Sequence, residues 1–184
     1  MKEKIKNYTI HFIKEIIPVI AGILIALFID NWNSERKDQV YIDQVFSTIN
    51  SELKESKEDI KAIVPKQESL VDSLQFYNNN KNVTVLDIVK KSKGIYIPQI
   101  KINAWKSVSS TKIDLIDYKK VASLSNIEEL KETLKDKSEF VMTFIYSNMN
   151  ATDKNTKQTL KMIFLDIIQT EKNLQQNIEL VEKK

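Results

Sequence analysis

Residues 16–33 read IIPVIAGILIALFIDNWN. The first fourteen carry no charge and no strong polar group, and ten of them are large apolar residues. On an insertion scale, ten such side chains contribute roughly −3 to −6 kcal/mol toward lipid, before the penalties of Pro18 and Gly22. Fourteen helical residues span about 21 Å, short of a hydrocarbon core of ~30 Å. Extension back through Ile13, Phe12 and Ile10 gives a 20-residue segment, residues 10–29. Lys14 then lies near its start, where a long cationic side chain can reach the headgroups. Trp32 stands at the opposite interface, where an indole is well placed. A buried core helix is the competing reading. The run is apolar on every face rather than along one stripe, which favours a span.

The flanks refine this expectation. A basic lead, MKEKIK, precedes the run, and FIDNWNSERKD follows it without the pair of small residues a signal-peptide cleavage site needs. The segment therefore reads as an uncleaved signal anchor. Lys2, Lys4, Lys6 and Lys14 outnumber Arg36 and Lys37 on the other side. The basic excess stays cytoplasmic, so the rest of the chain is expected outside, in the periplasm of a bacterium with its anchor in the inner membrane. Gly22 and Ala26 lie four apart on one face, a spacing that lets two membrane helices approach closely. The sequence thus divides into a cytoplasmic lead (residues 1–9), a transmembrane anchor (10–29), a juxtamembrane connector (30–40) and an extracytoplasmic domain (41–184).

Composition narrows the domain's character. Two glycines and three prolines in 184 residues favour long helices over strands and turns. The net charge of +3 arises from lysines and acids mixed along the chain, with no basic stripe, so no nucleic-acid partner is expected. Cysteine is absent and His11 is the single histidine. Disulfides, cysteine nucleophiles, Ser–His catalysis and histidine-based metal sites therefore have almost no material. With only Gly22 and Gly94, no phosphate-binding glycine loop can form. The expectation is no catalytic residue, no cofactor and no metal.

From Tyr41 a seven-residue beat sets in. Ile42, Ile49, Ser56, Ile63, Leu70 and Tyr77 share one heptad position, and Phe46, Leu53, Ile60, Gln67 and Leu74 share the other. This is the seam of a coiled coil or of a bundle helix. Pro65 removes one donor and is expected to kink or split that helix. Residues 78–82, NNNKN, read as a loop, and Thr84 with Asp87 reads as the cap of a short helix to Lys91. Gly94 and Pro98 bracket GIYIP, the one plausible strand. Short helical pieces are expected over about 104–109 and 117–124. Ser125 and Glu128 form a capping-box pattern for a long helix carrying Ile127, Leu130, Leu134, Val141, Phe144 and Ile145. Thr152 or Asp153 caps a last helix with a stripe from Leu160 to Val181. The fold class is all-α: a transmembrane helix continuing into an antiparallel bundle of heptad-patterned long helices.

GILIALFIDNWNSERK, residues 22–37, resembles an uncharacterised family of bacterial single-pass membrane proteins. There a GILIA-type apolar segment runs into an Asn-Asn-Trp-x-Glu-x-Arg-like stretch. The matching residues are 22–26, then Asn31, Trp32, Asn33, Glu35 and Arg36, with Asp30 where Asn is more usual. AWKSVSSTKIDLI, residues 104–116, is similar to a second stretch of that family, with Thr111 replacing a Gly. The resemblance implies an anchored helical domain and brings no activity with it.

Two places merit attention as sites. Asp166 stands inside MIFLDIIQT, but helical spacing puts it beside the apolar stripe and toward solvent. Trp105 with Ser109, Ser110 and Thr111 could form a polar-aromatic surface for a partner or ligand; alternatively Trp105 plugs the end of the core. The functional expectation is a structural or interaction subunit, partnered by the lipid bilayer and by a second copy or another envelope protein. A ligand-sensing domain acting through a partner is the alternative.

Overall fold

The computed structural model describes the backbone of residues 2–182 and the side chains of residues 12–182. Lys2, Lys4, Lys6 and Ile10, used above for the span and its orientation, and the single histidine His11 lie outside the described side chains. Among the described residues five α-helices follow one another: α1 Lys2–Phe76, α2 Val85–Lys91, α3 Asn103–Ser109, α4 Tyr118–Asn148 and α5 Lys154–Glu182, with a 3-10 turn at Ile113–Leu115. No strand occurs among the described residues. The chain divides into two compact units, Met1–Gln44 and Val45–Lys184, and α1 contributes to both.

The first unit is helical and open. From Phe12 onward nearly every side chain up to Gln39 is exposed.

The second unit is a helical bundle. On the α1 part of it, Ile49, Leu53, Ile60, Ile63, Leu70 and Leu74 are all buried, as the heptad requires. They meet Leu160, Phe164, Ile167, Leu174 and Ile178 of α5 and Leu124, Ile127, Leu134, Val141 and Ile145 of α4 in one core. Helix directions follow from the paired side chains. Lys57 pairs with Glu182, Gln67 with Glu171, Glu68 with Lys172 and Gln75 with Lys161, so α1 and α5 run antiparallel. Asn126 bonds Asn177 and Lys137 pairs with Asp166, so α4 and α5 are antiparallel too.

Local chemistry sets the helix ends. Thr84 and Asp87 form the expected capping box: the Asp87 amide donates to Thr84 Oγ1 at 3.1 Å and the Thr84 amide donates to Asp87 Oδ2 at 3.0 Å. Asp153 accepts from the Thr156 amide at the start of α5. Three expectations need correction. Pro65 does not split α1; it sits on the exposed face with Lys61, whose freed carbonyl can be hydrated. Ser125 caps nothing. Asp117, accepting from the Lys119 and Lys120 amides, caps a single helix that absorbs residues 117–124 because Leu124 continues the stripe of Ile127 and Leu134. The GIYIP stretch is not a strand but the start of an irregular strap, residues 95–102, laid along α1.

Candidate functional site

The apolar part of α1 is an uncovered surface. One helix near the N-terminus is long and apolar enough to cross a membrane, and none of its apolar window is buried. Ile23, Leu24, Ile25, Leu27, Phe28 and Ile29 are each more than half exposed. A soluble helix hides its apolar residues along one stripe; here all faces are open. Lys14 and Trp32 are exposed at the two ends of the run. Gly22 and Ala26 are exposed as well, and a Cβ at Gly22 would meet nothing within 4 Å.

The second unit holds its polar chemistry under the strap. Glu52, Ser56, Asp59 and Gln67 fall on one face of α1 and address the strap and the start of α3. Gln99 donates its amide to Asp59 Oδ2 (2.6 Å), Lys101 to Ser56 Oγ (2.8 Å) and Ala104 to Glu52 Oε2 (3.1 Å). Gln67 donates from Nε2 to the Tyr96 carbonyl (2.8 Å) and to Glu171 Oε1 (2.7 Å). Gln67 and Glu171 are both buried, and Gln67 Oε1 and Glu171 Oε2 have no hydrogen-bond partner. Two neighbouring acceptors without a donor call for a proton on the carboxyl. Burial pushes the Glu171 carboxyl up to about 7; the Gln67 bond opposes this and the Asp59 charge adds to it.

At the far end of the bundle, Lys157 is fully buried and donates to the carbonyls of Tyr77 (3.1 Å) and Asn80 (2.6 Å). These carbonyls follow the last turn of α1, where a helix lacks intrahelical donors and carries partial negative charge. Lys157 therefore acts as a tertiary cap. Burial lowers its ammonium pKa, and the Asp153 charge works against that.

The suggested recognition surface at Trp105, Ser109, Ser110 and Thr111 is not assembled as one. Trp105 is 1% exposed and donates Nε1 to Glu128 Oε2 at 2.8 Å, so it plugs the core instead of facing a ligand. The hydroxyls of Ser109, Ser110 and Thr111 turn back onto the carbonyls of Lys106 and Ser107. They close the end of α3 as turn-forming hydroxyls do. Asp166 is exposed and pairs with Lys137 at 2.8 Å. Among the described residues, no group of three His, Cys, Asp or Glu side chains could hold a metal ion. The Gln67–Glu171 pair and Lys157 were not singled out by the sequence. Gln67 had a signal, as a polar break in an apolar seam, while Glu171 and Lys157 lie among ordinary charged helix residues.

No family model, curated protein or solved structure matches this chain.

Proposed function

We propose that the chain is a membrane-anchored helical protein of the bacterial inner membrane. Residues 10–29 cross the bilayer once, the N-terminus is cytoplasmic and the bundle is periplasmic. The wholly exposed apolar run of α1 carries this reading, because in water it would present a continuous hydrophobic surface. The lysine excess before the run supports the orientation. The likeness of residues 22–37 to single-pass bacterial proteins supports the anchor.

The role is that of an assembly or accessory subunit, not an enzyme. Gly22 and Ala26 supply the small face for a second copy or another envelope protein. Alkaline carbonate washing of membranes, followed by protease treatment of spheroplasts, tests the proposal. The expected result is a chain retained in the pellet whose bundle is cut only from the periplasmic side. Release of the intact chain by carbonate would overturn the anchor, and protection of the bundle in spheroplasts would overturn the orientation. In-membrane cross-linking through cysteine placed at Ala26 reports on self-association.

A further inference from the structure

We propose that the cleft between the C-terminal part of α1 and the turn ending α2 binds a phosphate-type oxyanion. The cleft has a volume of about 350 Å³ and is lined by Lys66, Ser69, Lys91, Ser92, Lys93 and Tyr96, with Pro65 at its edge. Three lysines and no carboxylate line it. Several other lysines of the bundle bridge to acids, among them Lys57 with Glu182, Lys101 with Glu55, Lys106 with Glu132, Lys137 with Asp166 and Lys172 with Glu68, while others among the described residues, such as Lys54, Lys61 and Lys90, do not. Among the described residues, Lys66, Lys91 and Lys93 have no such bridge. Lys66 lies 4.6 Å from the centre of the Tyr96 ring and Lys91 lies 5.6 Å from that of Tyr77. A ring face attracts a cation but leaves its hydrogens free for an anion.

The turn that ends α2 shapes one wall of the cleft. Ser92 belongs to the cleft wall, with its Oγ buried in the protein rather than open to the cleft. The backbone fixes its position: Lys93 (φ 64°) and Gly94 (φ 112°) are both left-handed, and the Gly94 amide donates to the Val89 carbonyl at 2.9 Å. This closes α2 with a C-terminal turn and sets Ser92 and Lys93 at the cleft wall. The carbonyl end of α2 carries about half a negative charge, which three full positive charges outweigh. A tetrahedral dianion can accept from several ammoniums and hydroxyls at once, which a chloride ion or one carboxylate matches poorly. The volume leaves room for a small organic group beyond the phosphate. The cleft lies wholly in the second unit, so the inference does not rest on the membrane anchor.

The test is titration of the full chain, in micelles of uncharged detergent, with inorganic phosphate, glycerol 3-phosphate and short-chain phosphatidic acid. Saturable binding of phosphate is expected. The Lys66→Gln/Lys93→Gln double variant should weaken it about a hundredfold through two lost charge-assisted contacts. A Lys131→Gln/Lys135→Gln control carries the same charge change on α4 and should leave affinity unaltered. All four lysines are at the surface or partly so, and circular dichroism melts confirm that each variant is folded. Phosphatidic acid binding more tightly than glycerol 3-phosphate identifies a lipid headgroup as the source; equal or weaker binding identifies a soluble phosphomonoester. Absence of saturation, or equal losses in the cleft and control variants, would overturn the proposal.

Discussion

Replacing Glu171 by glutamine turns the buried pair under the strap into a measurement. The carboxyl is held near 7 in the folded protein, against an ordinary value of 4.5. The folded state therefore binds its proton more tightly than the unfolded chain does. Below 4.5 both states are protonated and the contribution of this group is fully present. As pH rises, the unfolded chain ionises first, and folding loses stability until the native carboxyl also ionises. At 1.36 kcal/mol per pKa unit, the loss between pH 4.5 and pH 8 amounts to about 3 kcal/mol. For a chain of this size, that is roughly 6–12 °C in melting temperature. Glutamine has the shape of the protonated acid. Its amide can donate to the orphaned Gln67 Oε1 while its carbonyl keeps the bond from Gln67 Nε2. The difference in melting temperature between Glu171→Gln and the parent should be small at pH 4.5 and should grow through pH 7 in favour of the variant. Other titrating groups are common to both proteins and cancel. A difference that stays constant over this range would show that Glu171 ionises normally and that the account of the cluster is wrong.

Three further outcomes follow from named contacts. Lys157→Met leaves the Tyr77 and Asn80 carbonyls without their buried donor, a cost of about 1–3 kcal/mol for each; an unchanged urea midpoint would refute the capping role. Trp105→Phe removes the bond to Glu128 and leaves a void, lowering stability by about 1–3 kcal/mol, and the emission of native Trp105 should be that of a buried indole. Leu24→Lys shifts insertion by about 3–4 kcal/mol against the membrane and should move part of the chain into the carbonate supernatant.

The legible parts of this fold were those where one side-chain property repeats. The heptad from Ile49 to Leu74 and the α5 stripe through Phe164 and Ile178 follow from burial of apolar area alone, and both were readable. The Thr84–Asp87 box was readable because its two bonds are local. Ser125 misled because a capping pattern also occurs inside helices, and the stripe through Leu124 outweighs it. Pro65 misled because its cost depends on which face of the helix it occupies. Ser56 and Gln67 broke the seam, and their meaning appears only with the strap, whose contacts lie 45 and 29 residues away. The lysines of the oxyanion cleft come from α1 and from the end of α2, and no spacing in the sequence joins them.

The strap has a consequence for the order in which the bundle assembles. It has no partner strand and no helix of its own, and it is secured by a row of α1 side chains. That row exists only once α1 has coiled, because only then do residues 52, 56, 59 and 67 line up. Ser56 and Gln67, in turn, are tolerable in the seam only beneath the strap. Neither part is a good intermediate without the other, so the unit should form and dissolve in one cooperative step. The Gln99, Lys101 and Ala104 amides, though outside helix interiors, should then exchange with solvent as slowly as the core does.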